Sequence, residues 1–288
     1  MQTVLNAMLA KYDIKSLQDK KNALKEIVQE IVLCGLSRSD FFKEAAFCGG
    51  TALRIFYNLD RFSEDLDFSL LNPNSNFDLT KYFSFIENET NSLGLNFLVS
   101  KKEKSSNSNI ESAFLKGNTL EHILTFFKKD TDISKINKEE LIKIKFEVDV
   151  NPPKYATFET KTRLLPSPYQ TYLYDTASLF AGKIHACLCR NWMSRIKGRD
   201  FYDYVFFLSI NAPVNLKNLK EKLVQSNFID DKYDLTIDNL KDLLNKRFDE
   251  INFNQAKNDV IPFIKDKRKI DLWNAEFFKE ITKNIRPY

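Results

Sequence analysis

The sequence predicts an α+β protein, with a mixed sheet and flanking helices over residues 1–170 and a helical part over 171–288. Three observations carry this. The segment IKIKFEVDV at 142–150 alternates apolar and charged residues without a break, which is the period of a half-buried strand. EDLDFSLL at 64–71 repeats the pattern, with Leu66, Phe68 and Leu70 on one face and Asp65, Asp67 and Ser69 on the other. From Thr176 onward the strand patterns give way to helical ones, in TASLFAGKIHACLCRNW, DFYDYVFFLS, LKNLKEKLVQ, IDNLKDLLNKRF and AEFFKEITKNI.

The remaining elements follow in order. SLQDKKNALKEIVQEIVLCGL, from Ser16 to Leu36, repeats apolar residues at Leu24, Ile27, Ile31 and Cys34, so an amphipathic helix is expected, ended by Gly35. A short helix over 51–58 is entered from Gly49 and Gly50, and a further helical stretch runs to about Asn91. LNFLVSKKEKS and NIESAFLKG read as strands joined by a polar loop. Asn151, Pro152 and Pro153 stop the strand at 142–150. ATFETKTRLL and YQTYLYD supply two more short strands across the Pro-Ser-Pro turn. No linker or internal repeat marks the boundary near 170, which is therefore soft.

Composition narrows the class of protein. With 288 residues, 43% of them hydrophobic, and 25 Phe and 11 Tyr, the chain can bury a large core. A formal net charge of +4 permits contact with a polyanion without requiring it. The start lacks an apolar core of signal-peptide length and no stretch approaches a membrane span, so a cytoplasmic protein with no membrane partner is expected. Cys34, Cys48, Cys187 and Cys189 show no paired metal spacing and read as reduced thiols. His122 and His185 fit no nucleophilic triad or zinc pattern and read as structural.

Four features can carry chemistry. On a strand, Asp65 and Asp67 project from one face and can share a hard cation such as magnesium; the same pattern fits a solvated edge strand. Gly49 and Gly50 opening a helix, followed by Thr51, suit a phosphate, and equally a tight turn. Glu147 and Asp149 can place a third carboxylate beside the first two if the strands are neighbours. Lys183 and Arg190, seven residues apart on one helix face, with Arg199, Asp200 and Asp203 after a break at Gly198, group cations with carboxylates, as would a helix pair tied by salt bridges. A local RNA-binding patch is expected among Lys101, Lys102, Lys104, Arg195 and Arg199.

Together GGTALRIFYNLDRFSEDLDF, KFEVDV, SLFAGKIHACLCR and KGRDFYDY, in this order and spacing from about residue 20 to about 210, resemble the AbiEii/AbiGii nucleotidyltransferase toxin family. The resemblance implies a minimal nucleotidyltransferase fold with a helical C-terminal domain that completes the active site. It implies Mg2+, an NTP substrate, a separately encoded antitoxin and transfer of a nucleotide to an RNA acceptor, the tRNA 3′ end, in a bacterial toxin–antitoxin or phage-defence system. Carried over residue by residue, Gly49, Gly50 and Thr51 contact the triphosphate, Ser63 and Asp65 match the S-x-D core, with Ser63 open as a nucleotide ligand or as the acceptor of a modification, and Asp67 completes the metal pair. Lys145 and Glu147 match the K-x-[ED] strand, as nucleotide-binding and catalytic candidates respectively, with Asp149 a further metal candidate. Lys183 matches the catalytic lysine and Arg190 is a phosphate-binding candidate. Extra residues before the R-D-x-Y-D element leave Asp200 and Asp203 both open as the closing aspartate, with Asp203 favoured. Transfer to a protein side chain and a non-catalytic tRNA- or antitoxin-binding subunit are the alternatives.

Overall fold

The structure, a computed structural model, describes residues 2–102, 109–127, 136–190 and 196–288. It divides into two compact units. One comprises Met1–Phe56, Ser63–Pro152 and Thr160–Leu173; the other comprises Tyr57–Phe62, Pro153–Glu159 and Tyr174–Tyr288.

The first unit is built on a seven-stranded mixed sheet in the order β3-β4-β5-β2-β1-β7-β6. Its strands are β1 (Ala45–Cys48), β2 (Leu66–Leu70), β3 (Leu98–Lys101), β4 (Ile110–Asn118), β5 (Leu141–Asp149), β6 (Phe158–Arg163) and β7 (Tyr169–Tyr174). β2 runs antiparallel to β1 and parallel to β5. The alternation visible in the sequence now has its cause. Phe47, Phe68 and Val148 lie in one transverse row of the sheet, and Phe68 stacks on Phe146 at 4.6 Å and meets the edge of Phe41 at 4.9 Å. That aromatic layer buries one face, which leaves the opposite face for Asp67, Glu147 and Asp149.

The helices of this unit are α1 (Gln2–Leu9), α2 (Leu17–Ser37), α3 (Phe41–Glu44), α4 (Gly49–Phe56), α5 (Phe83–Ser92) and α6 (Thr119–Phe127). α2 opens on a complete capping box, Ser16 with Asp19. Two expectations for α2 need correction. Gly35 does not end it, since the helix continues to Ser37; a Cβ at Gly35 would fall 2.8 Å from the Phe85 carbonyl oxygen, so glycine is there to let α5 pack closely. The helix is amphipathic only in its first half. Later, Glu26, Gln29 and Glu30 are buried as well, because Glu26 is paired with Arg54 and Glu30 with Lys11 and Arg163.

The second unit carries α7 (Thr176–Cys189), α8 (Gly198–Ser209), α9 (Leu216–Gln225), α10 (Ile237–Glu250), α11 (Phe253–Val260) and α12 (Ala275–Thr282). Its core is a ring cluster from helices α8, α10, α11 and α12. Phe278 meets Phe201 at 5.7 Å, Phe248 at 5.2 Å and Phe253 at 5.0 Å, and the buried Tyr204 hydroxyl is 2.6 Å from Thr282 Oγ1.

Candidate active site

Gly49 stands where β1 turns into α4. Its φ is +76°, a conformation that favours glycine, and a Cβ there would come within 2.9 Å of the Asp67 Cβ. Removing the Cβ thus lets the start of α4 lie against the Asp67 side chain. Asp65, expected on the strand, lies one residue before β2 begins; it shares the junction with Asp67 but not the sheet pairing. In the sheet, Asp67 is the partner of Cys48 on one side and Glu147 on the other, and Asp149 is the partner of Ser69. Asp67 and Glu147 therefore occupy neighbouring strands on one face.

Surrounding residues hold these groups in place. Lys145 Nζ lies 2.7 Å from Glu147 Oε1, and Ser112 Oγ donates to the same oxygen at 3.4 Å. Asp149 Oδ1 accepts from the Asn151 amide at 2.9 Å. Thr51, expected against the triphosphate, is fully buried and its hydroxyl donates to Ser63 Oγ and the Asp65 carbonyl. The Ser63 hydroxyl is accordingly tied to α4. From the other side, the buried Gln29 donates to the Ser63 and Glu64 carbonyls at 3.1 and 2.8 Å. Thr51 and Gln29 thus fix the loop that carries Asp65. Gln29 was not read from the sequence, although a glutamine inside a run of apolar helix positions was a signal for it.

Among the described residues no group of three or more His, Cys, Asp or Glu is arranged to hold a metal ion. The pair Asp65 and Asp67 nevertheless fits magnesium by donor chemistry. That ion prefers oxygen, takes one or two carboxylates from the protein, and fills its remaining positions with water and substrate phosphate.

The second unit holds a buried charge network. Lys183 Nζ lies 2.9 Å from Asp200 Oδ1 and 2.8 Å from Asp203 Oδ2. Arg61 grips Asp203 with two parallel bonds, Nε to Oδ1 and Nη2 to Oδ2, both 2.6 Å, and its Nη1 donates to the Phe62 carbonyl at 2.9 Å. Arg190, expected to share a face of the helix with Lys183, is instead the cap residue after α7; it still reaches Asp200 Oδ2 at 2.5 Å. Asp200 and Asp203 are 3% and 0% exposed. Burial alone would raise the Asp200 pKa, but Lys183 and Arg190 hold it below the usual carboxylate range. Burial alone would lower the Lys183 pKa, but Asp200 and Asp203 hold it above the usual lysine value. Lys183 thus touches both candidate closing aspartates. Arg61, absent from the sequence reading, sits in the quoted motif immediately before Phe62 and Ser63.

The other expected residues are structural in their surroundings. Lys101 pairs with Glu111 at 3.1 Å and Arg199 lies over the Phe263 ring at 4.2 Å; Lys104 and Arg195 lie outside the described residues. His122 stacks on Phe97 at 4.3 Å. His185 is 3.1 Å from Ser226 Oγ, and its pKa is pushed down to about 4 by burial, Lys222 and Arg190. All four cysteines are free thiols.

The sequence profile of one family, described as nucleotidyl transferase AbiEii toxin, type IV TA system, matches residues 31–279. The chain belongs to the AbiEii family. It is a nucleotidyltransferase, and so takes a nucleoside triphosphate as substrate. The match runs through both units and covers the Gly49–Asp67 motif, the Lys145–Glu147 strand and the Lys183–Asp203 network. Two solved structures from Helicobacter pylori are similar in chain path. One, provisionally assigned as a nucleotidyltransferase, is 16% identical with a TM-score of 0.48, over 90% of this chain and 92% of its own. The other, JHP933, is 17% identical with a TM-score of 0.46, over 94% and 90%. At these scores the likeness adds nothing to the assignment of AbiEii chemistry. No curated protein matches the sequence. Among the described residues no helix is long and apolar enough to cross a membrane.

Proposed function

We propose that this AbiEii protein is a magnesium-dependent toxin that transfers a nucleotide from an NTP to the 3′ end of a tRNA, in the cytoplasm, under the control of a separately encoded antitoxin. The observation that supports this best is the register that puts Asp67 beside Glu147, with Asp65 one residue before the strand that carries Asp67 and Gly49 opening α4 against Asp67.

In this reading Asp65 and Asp67 hold the metal, which when bound neutralises charge on the phosphates. Gly49 and Gly50 present the amides at the start of α4 to the triphosphate, where an anion is favoured. Glu147, kept in place by Lys145 and Ser112, accepts the proton of the attacking RNA 3′-hydroxyl. The oxygen of that hydroxyl forms a bond to the α-phosphorus while the bond from the α-phosphorus to the bridging oxygen breaks. Pyrophosphate leaves with that oxygen. Asp149 is assigned as an additional ligand on the same face. Ser63, with its hydroxyl tied to Thr51, positions the loop. Lys183, with Asp200, Asp203 and Arg190, is assigned to the same reaction through the family resemblance.

The test is transfer of α-label from each of the four NTPs into total tRNA with magnesium, comparing wild type with Asp65→Ala and Lys183→Ala. Label that enters RNA with the wild type and is lost in both variants supports the reading. Label that survives protease-sensitive purification only on protein, or enters nothing from a folded enzyme, contradicts it.

A further inference from the structure

The second unit contains a cavity of about 430 Å³ that the residues assigned above do not line. Its lining includes Asn58, Asp60, Tyr202, Ser209, Lys269 and Trp273. The floor is aromatic and buried: Tyr202 is 7% and Trp273 2% exposed, with ring centroids 6.3 Å apart. The rim is polar and exposed, through Asn58, Asp60 and Lys269. Such a combination of apolar walls and a few polar groups is the usual make-up of a small-molecule or base pocket.

Two further observations indicate what it takes. The Trp273 indole N–H is buried and has no hydrogen-bond partner among the described residues, although a buried indole donor ordinarily finds one. Beside the cavity, KDKRK at 265–269 places Lys265, Lys267, Arg268 and Lys269 on the surface, with one intervening acid, Asp266, committed to Arg268 at 2.8 Å. An aromatic pocket next to a short basic run is the arrangement that binds a single nucleic-acid strand, with the base stacked and the phosphate neutralised.

The rim is also firmly built. Tyr202 Oη donates to Asp60 Oδ1 at 2.7 Å, Lys269 pairs with the other oxygen, and the Phe62 amide donates to the Phe263 carbonyl at 2.8 Å. Asn58 turns the loop with a φ of +60°. This loop leads directly into the Ser63–Asp67 motif.

We infer that the cavity is a subsite for one unpaired base of the RNA acceptor, whose phosphate rests on the 265–269 run. The inference rests on the proposed reading in one respect, that the acceptor is RNA. It assigns the cavity a part in choosing which RNA is modified.

The experiment follows Trp273 emission in the full-length Trp192→Phe protein, which keeps one of the chain's two tryptophans. The probes are a short unstructured oligoadenylate, an abasic ribose-phosphate oligomer of equal length, and adenosine monophosphate. The oligoadenylate is expected to quench Trp273 saturably, with the abasic oligomer binding about ten-fold more weakly or worse. Ser209→Phe, which fills the exposed mouth of the cavity, and Lys269→Ala are each expected to weaken oligoadenylate binding by about ten-fold. Equal binding of the abasic oligomer, equal binding of the monophosphate, or unchanged affinity in both variants overturns the inference. No NTP turnover is needed for this readout. Wild-type label transfer to RNA alongside base-independent binding therefore removes the subsite alone, whereas absence of label transfer removes the reading of the reaction.

Discussion

The two groups of candidate residues, one in each unit, handle charge in opposite ways. In the first, Asp65, Asp67, Glu147 and Asp149 are half-buried at the end of a strand and along one face of a sheet. In the second, Asp200 and Asp203 are buried and wrapped by Lys183, Arg61 and Arg190. A buried carboxylate needs compensation to exist at all, so the second arrangement is bound up with folding. A row of half-buried carboxylates tolerates substitution structurally and is available to a cation and a substrate. Substitutions should therefore separate the two groups of carboxylates, with stability losses concentrated in the second and activity losses without unfolding in the first.

The largest expected effect is that of Arg61→Ala. It removes both bonds to Asp203 and leaves a fully buried carboxylate whose remaining charged partner among the described residues is Lys183, which should cost about 3–5 kcal/mol in urea unfolding. Arg61→Lys should recover only part of this, because an ammonium cannot make the paired bonds seen to Oδ1 and Oδ2. A loss under about 1 kcal/mol for Arg61→Ala would erase the contrast between the units.

Next is Gly49→Ala. The added methyl group meets Asp67 and the backbone must hold φ near +76° without glycine, so a cost of about 1–3 kcal/mol is expected, together with loss of nucleotide transfer. Transfer assays on the folded fraction distinguish this from simple destabilisation. Gln29→Met is smaller: it keeps the volume but deprives the Ser63 and Glu64 carbonyls of a donor. We expect about 1–2 kcal/mol in the same unfolding assay, with a fall in kcat as the Asp65 loop loosens.

The mildest effect is that of pH. The folded Asp200 pKa lies below its unfolded value near 3.9, so its contribution is present above about pH 4 and is lost as pH falls through the lower, folded value. The Lys183 pKa is raised, so its contribution is present below about pH 10.4 and is lost as pH rises through the higher, folded value. Between these limits the network should make no pH-dependent contribution to stability. Asp200→Asn should flatten the acid limb of the unfolding midpoint plotted against pH.

The legible parts of the sequence were those set by local period. IKIKFEVDV and EDLDFSLL alternate because a Phe layer lies on one side of the sheet, and the structure places β5 and β2 there. β1 was not legible, since four residues, AAFC, are too few to show alternation, and its place between β2 and β7 is a tertiary fact. The short helices α1, α6 and α11 were not legible either, having little more than two turns of pattern each. Gly35 shows the ambiguity of glycine directly: the same residue ends helices and permits close packing, and only the position of Phe85 decides between them. Among the candidate residues, the Asp65–Asp67 spacing and the grouping of Lys183 with Asp200 and Asp203 were visible. Gln29 and Arg61 were not, because each is defined by a buried partner far away in sequence or across a turn.

The central claim is that the sheet carboxylates serve transfer without bearing on folding, whereas the buried network is needed for folding as well as for transfer. Its most direct test is Asp67→Asn, assayed in one preparation for α-label transfer to tRNA and for its urea midpoint. The account predicts transfer lowered by at least about a hundred-fold, with the midpoint close to that of the wild type. Retained transfer, or a midpoint that falls as far as that of Arg61→Ala, would contradict it.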